Sequence, residues 1–292
     1  MTPTLLTLVT AELAAPADPR AAAMAGALAA RYPDAARAVL FYGSCLREKN
    51  LDGLMLDFYL IVSDYRAAYG KRWLATANRL IPPNVFPFEH HGLIAKYAVL
   101  SEGDFARLTS PDADNVSVWA RFAQPARLLW AADDLARQRA ISAVASAAPT
   151  LLSLARPMAD GAGDALDLWR TGFALTYNAE LRAERKGRSL SIVDADPDRY
   201  AAFGKAALAQ GLPPSPRQAA ARWRSLQRRG KWLSVIRLAK ASFTYAGGID
   251  YLAWKINRHA GTAITIRPWQ RRWPLIGALT LLPRLFRGGA IR

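Results

Sequence analysis

Between residues 38 and 131 the apolar positions gather into short runs separated by turns, while the flanking stretches carry apolar residues at helical spacing. Residues 1–37 place Ala and Leu every three or four positions and stop near Pro33-Asp34, which predicts helix. The first seventeen residues are apolar, but they lack a basic start and include Glu12, so they read as a first helix and not as a signal peptide. Strands are predicted over 38–42 and 56–63, then a helix over 65–80 stopped by Pro82-Pro83. Two aromatic-rich runs, 84–89 and 93–100, surround His90-His91-Gly92 and read as a hairpin. Ser101 caps a helix with acids in its first turn, and residues 116–121 lead into a further strand at 126–131. From Asp133 onward the pattern is helical, with breaks expected at Pro149, Gly161–Gly163, residues 211–216 and Gly247-Gly248. No internal repeat is present, and no window of eighteen uninterrupted apolar residues occurs; the longest candidate, 273–282, is closed by Pro283 and Arg284.

One pair of runs carries chemistry. The first strand ends in Gly43-Ser44, and thirteen residues on, the second strand holds a single acid, Asp57, among apolar neighbours. Gly43 permits close backbone approach to a triphosphate, and Ser44 adds a hydroxyl and an N–H to the same phosphates. A carboxylate on the neighbouring strand suits Mg²⁺, which neutralises a triphosphate during attack on its α-phosphorus. Nucleotidyltransferases commonly place two acids two residues apart on that strand, whereas Met55 and Tyr59 flank Asp57 here. An ordinary strand–turn–strand with Asp57 at a solvated edge accounts for the same residues equally well.

Other polar residues admit two readings each. Lys96 lies within an apolar strand, where an unpaired ammonium is expensive, so it is expected to meet an anion such as phosphate; snorkelling from a strand edge is the plain alternative. Glu89 is a candidate second metal carboxylate or an ordinary hairpin acid, and Asp52 stands in a loop where solvation is the default. His90 and His91 have no third ligand at useful spacing and read as hairpin polar residues. Cys45, the single cysteine, rules out an internal disulfide and any cysteine zinc site, fits a reducing cytosol, and is expected to pack behind the turn.

Charge divides the 292-residue chain. Residues 201–292 hold seventeen Lys/Arg against one acid, Asp250, and so account for the whole net charge of +16. Five of the nine Trp lie there too (Trp223, Trp232, Trp254, Trp269 and Trp273), a mixture suited to an anionic membrane surface, with nucleic acid as the competing partner. The last stretch, 266–292, is broken by Pro274 and Pro283 and is expected to lie in the bilayer interface.

Several segments fall in the order of one family. Phe-Tyr-Gly-Ser (41–44), Leu-Asp-Phe-Tyr-Leu-Ile-Val (56–62), Pro-Pro-Asn-Val-Phe (82–86), Lys-Tyr-Ala-Val (96–99), Ala-Arg-Phe-Ala-Gln-Pro (120–125) and Thr-Tyr-Asn-Ala-Glu-Leu-Arg (176–182) resemble the mitochondrial-type phosphatidate cytidylyltransferases and their bacterial relatives. The chain departs from that family's pattern at Ala98, Ala120 and Gln124. The resemblance implies an α+β protein: a nucleotidyltransferase-fold mixed sheet with flanking helices (1–140), a mainly helical second domain (141–245) and a basic amphipathic membrane-contact segment (246–292). It implies Mg²⁺-dependent transfer of CMP from CTP to phosphatidic acid, by an enzyme peripheral on the inner face of the cell membrane; no nucleic-acid partner is expected, because the run 266–292 is too aliphatic for base stacking. By the same resemblance Gly43 and Ser44 hold the triphosphate, Asp57 holds the metal, and Lys96 and Arg121 counter phosphate charge. Tyr177, Glu180 and Arg182 would line the wall between the domains. Another acceptor (a different phospholipid, a sugar phosphate or a protein) stays open, as does a non-catalytic membrane- or RNA-binding role.

Overall fold

The computed structural model describes residues 3–48, 50–159, 164–179, 192–210, 214–244 and 265–272. The predicted helical start is two helices, α1 (Leu5–Ala14) and α2 (Pro19–Ala30), the first capped by the Thr4 side chain and the second by Asp18 with Pro at its first position. Strand β1 (Ala36–Tyr42) leads through Gly43 into a short 3₁₀ turn (Ser44–Arg47) and then β2 (Met55–Val62). Residues 65–80 were expected to form one helix and form two, α3 (Tyr65–Ala68) and α4 (Arg72–Leu80). The chain turns extended at Tyr69, whose buried ring packs 6.0 Å from Phe86, and Gly70 follows. The predicted hairpin is β3 (Asn84–His90) and β4 (Leu93–Ser101), joined by His91 and Gly92, both at positive φ, the twist of a two-residue hairpin turn.

Ser101 caps α5 (Glu102–Thr109) as its sequence predicts, accepting from the Asp104 N–H. A short helix α6 (Trp119–Phe122) precedes β5 (Ala126–Ala131), and helices follow: α7 (Asp134–Ala145), α8 (Ala147–Ala155), α9 (Ala165–Ala179), α10 (Pro197–Leu208), the long α11 (Pro216–Thr244) and the short α12 (Pro268–Arg272). Pro149 does not break the chain as expected. It stands at the third position of α8, where its missing N–H has no helical partner to lose, and the junction falls at Ser146. The breaks expected at Gly161–Gly163 and Gly247-Gly248 lie outside the described residues.

The five strands form one mixed sheet in the order β3-β4-β2-β1-β5, with β2 and β4 parallel and the other neighbours antiparallel. Both faces are covered, which is why β2 reads as an almost continuous apolar run. One face carries Val39, Phe41, Phe58, Leu60 and Tyr97 against Met24 and Leu28 of α2 and Tyr65 of α3. The other carries Leu40, Tyr59, Ile61 and Leu100 against α1, α5, α6 and the later helices, in one core that runs on to Trp169, Tyr200 and Trp223. The protein is therefore α+β, a five-stranded mixed sheet flanked by helices with a helical region packed on one face.

Glu12, the acid interrupting the first apolar stretch, acquires its reason here. Its carboxylate accepts from Arg199 on α10, Nη2 to Oε1 at 3.0 Å, with both side chains nearly buried, and the guanidinium also donates to the Ala123 carbonyl and lies over the Phe203 ring. A buried charge needs such a set of partners. This pair ties the first helix to the helical region. Among the described residues no helix is long and apolar enough to cross a membrane.

Candidate functional site

The sheet register brings the sequence candidates into one row. Asp57 on β2 is paired laterally with Tyr42 on β1 and with Lys96 on β4, and Lys96 in turn with Pro87 on β3. Strand residues alternate between faces, so Tyr42, Asp57 and Lys96 share the face that holds Tyr59 and the helical region. Lys96 Nζ lies 2.8 Å from Asp57 Oδ1, with the two side chains 29% and 20% exposed. The anion that an ammonium in an apolar strand requires is, in this structure, the neighbouring carboxylate.

Gly43 sits directly against that carboxylate. Its φ of 97° and ψ of −169° fall in a region that side-chain-bearing residues avoid, and a Cβ added there would come within 3.3 Å of Asp57 Oδ2. The turn thus wraps closely around the acid, and Ser44 opens the following 3₁₀ turn exposed to solvent. Cys45 is buried behind it, its Sγ donating to the Met55 carbonyl at 3.5 Å. Burial pushes its thiol upward, with Asp57 adding to the shift, the opposite of what a nucleophilic cysteine needs.

Arg121 enters from α6. Its guanidinium donates to the Ser117 carbonyl and hydrogen-bonds the Tyr42 hydroxyl. Burial holds that hydroxyl well above the ordinary tyrosine value, Asp57 and Tyr59 reinforce the shift, and Arg121 opposes it. Aromatic packing fixes the group: Tyr42 lies 5.2 Å from Tyr59 and 5.9 Å from Phe122, the residue after Arg121. Gly43, Ser44, Asp57, Lys96 and Arg121 therefore gather at one end of the sheet, with Tyr42 between the acid and the arginine.

The remaining candidates are placed elsewhere. Glu89 points from the same face but stands two strands from Asp57 and two residues further along, about 12 Å between Cα atoms by strand geometry, and it is exposed. The register does not set it beside Asp57 as a second carboxylate. Asp52 is held at the surface by Arg20, 2.7 Å away, and His90 stacks on Phe88 while touching His91 at the hairpin end. Tyr177 is half-buried on α9, a helix that packs chiefly on α8, α10 and α11. Arg182, together with Glu180, lies outside the described residues, as do 245–264 and 273–292.

Two cations that sequence reasoning had not singled out reach from α11 to the segment that enters β3, away from Asp57 along the sheet, and to Ser117 before α6. Arg237 donates to the Pro82 carbonyl at 2.7 Å and to Ser117 Oγ at 2.7 Å, so Ser117 is shared between Arg237 and Arg121. Lys240 donates to the carbonyls of Ile81 and Pro83, and burial, with Arg237 adding, pushes its ammonium down to about 7. No local motif marks them, since their meeting with residues 81–117 depends on how α11 docks. Tyr42 too is brought in by register, its pairing with Asp57 across β1 and β2 placing it on the same face.

Mg²⁺ asks for one or two protein carboxylates and takes its other ligands from water and substrate phosphates. Asp57, with the Gly43 turn closed against it so that a Cβ there would come within 3.3 Å, fits that demand as a single carboxylate; among the described residues no cluster of three or more His, Cys, Asp or Glu exists. Neither a scan of protein-family models nor a search of curated proteins finds a match to the chain.

Proposed function

We propose that this protein is a nucleotidyltransferase that moves CMP from CTP to a lipid phosphate at the inner face of the cell membrane, giving CDP-diacylglycerol and pyrophosphate when the acceptor is phosphatidic acid. The observation that supports it best is the Gly43-Ser44 turn closed around Asp57, with Lys96 and Arg121 on either side. The backbone of Gly43 and the N–H and hydroxyl of Ser44 would receive the triphosphate. Mg²⁺ bound at Asp57 would supply charge neutralisation of the phosphates. An oxygen of the acceptor phosphate forms the new bond to the α-phosphorus as the bond to the bridging oxygen breaks, and pyrophosphate carries away the electron pair. Lys96 and Arg121 counter the charge growing on that leaving group, so the work of the site is positioning and electrostatics.

One observation favours a second reading, a fold of this kind that binds nucleotide or membrane without transfer: β2 offers a single acid, and Glu89 lies two strands away. The test is incubation with α-labelled CTP, Mg²⁺ and vesicles containing phosphatidic acid. Label should move to the lipid phase and stay in CTP when Mg²⁺ is chelated. Label found on protein would change the acceptor, and label left in CTP in every condition would leave only the binding reading.

A further inference from the structure

We propose that the outward face of α11, together with the exposed face of α4, docks the protein on an anionic lipid bilayer. This deepens the function above, on which it rests, by naming the surface that would face the membrane. Helix α11 contains eight Lys/Arg and no acid over Pro216–Thr244. Some of those cations are engaged by the rest of the protein: Arg222 donates to the Ala113 carbonyl at 2.6 Å, Arg237 and Lys240 hold the 81–83 segment, and Arg229, itself exposed, meets Asp114 at 2.7 Å. Arg224, Arg228 and Lys231 stay exposed, and among them stand Trp232 and Ile236, 71% and 41% exposed and one turn apart on one side of the helix. On α4, Trp73 and Leu80 are 50% and 72% exposed and two turns apart, beside Lys71, Arg72 and Arg79; Arg79 also lies 3.6 Å from Asp64. Residues 65–83 hold four Lys/Arg and no acid.

The two faces are joined. Lys240 bonds the carbonyl of Ile81, the residue after Leu80, and Arg237, the residue after Ile236, bonds the carbonyl of Pro82. Exposed Leu80 and Ile236 therefore flank one docked junction. Indole rings settle at the headgroup level, aliphatic side chains enter the acyl boundary, and Lys/Arg meet lipid phosphates. A nucleic acid offers nothing to Leu80 and Ile236, because stacking needs aromatic rings. The charge and the aliphatic residues together select the bilayer.

The experiment is sedimentation of the full chain with vesicles of phosphatidylcholine alone and with about 30% phosphatidylserine added. The fourfold variant Trp73→Ser, Leu80→Ser, Trp232→Ser, Ile236→Ser should lower partitioning onto anionic vesicles by about tenfold or more. A control, Leu6→Ser with Leu135→Ser, removes exposed leucines of α1 and α7 and should partition like the parent. Arg224→Gln, Arg228→Gln, Lys231→Gln should weaken the preference for anionic lipid. Equal partitioning of the fourfold variant and the control overturns the proposal, as does a parent protein that ignores vesicles while retarding a labelled RNA oligonucleotide. Label transfer from CTP to detergent-dispersed phosphatidic acid distinguishes the two levels. Transfer retained with docking unaltered sinks this surface and keeps the enzyme; docking lost with no transfer by any protein keeps the surface and sinks the enzyme.

Discussion

Asp57 has two roles, partner to Lys96 and proposed metal ligand, and a double-variant cycle separates them. Asp57→Asn preserves shape and removes the charge, leaving the Lys96 ammonium beside an amide where both side chains are mostly covered, at 20% and 29% exposure. Unit charges about 4 Å apart attract by roughly 4 kcal/mol at an effective dielectric of 20, and the cost of withdrawing them from water offsets much of that. Exposed pairs measure about 0.2–1 kcal/mol and broken buried ones about 3–5. This pair lies between, so either single variant, Asp57→Asn or Lys96→Met, should lose about 2 kcal/mol, or roughly 4 °C in melting temperature for a chain of this size. The double variant carries no stranded charge and should melt above either single one; a residual loss of about 1 kcal/mol corresponds to a coupling energy of about 3 kcal/mol. Urea unfolding of the four purified proteins reads that cycle, and label transfer from α-labelled CTP is measured on the same samples. Stability should recover in the double variant while transfer stays absent, because the amide lacks the charge that holds a hard cation. If transfer recovers along with stability, the pair is purely architectural and the nucleotide site lies elsewhere; additive losses would show that the ion pair contributes nothing.

The other expectations are more local. Gly43→Ala should cost about 1–3 kcal/mol by thermal unfolding, since alanine is strained at φ 97° and its Cβ presses on Asp57 Oδ2; a variant as stable as the parent would mean the turn is not held in that shape. Glu12→Gln should cost about 3 kcal/mol by stranding Arg199, and Glu12→Leu with Arg199→Met should recover most of it; a loss under about 0.5 kcal/mol would place the pair with surface pairs. Lys240 holds a proton less tightly folded, with its value pushed down to about 7, than unfolded, at its ordinary 10.5. Between those limits the unfolded chain binds more protons, so stability rises with pH from about 7 toward 10. Lys240→Met should flatten that rise in a series of melting temperatures, and an unchanged slope would clear Lys240 as its cause.

Local pattern was enough for most elements. The apolar runs of β1, β2 and β4, the Ser101 cap, the His91-Gly92 hairpin turn and the burial of Cys45 all follow from neighbours in sequence, because period, caps and turn chemistry act over a few residues. The same locality misjudged Tyr69-Gly70 and Pro149. At the first, a long-range aromatic contact with Phe86 outweighs helix continuity; at the second, a residue that breaks helix interiors is harmless in a first turn.

The site divides along the same line. Gly43, Ser44 and Asp57 were legible together because the turn and the acid sit on adjoining strands, and a lysine inside an apolar strand announces a need for an anion. Which anion depends on register: only the parallel pairing of β2 with β4 sets Lys96 opposite Asp57. Strand order likewise moved Glu89 two places from the acid it was expected to join, and helix docking carried Arg237 and Lys240 from residues 216–244 onto the loop at 81–83. Composition by itself determined that the last third is basic and rich in Trp. Only the tertiary structure decided which of those residues turn inward to bind carbonyls and which, like Trp232 and Ile236, remain outward, because burial is a property of the whole packed chain.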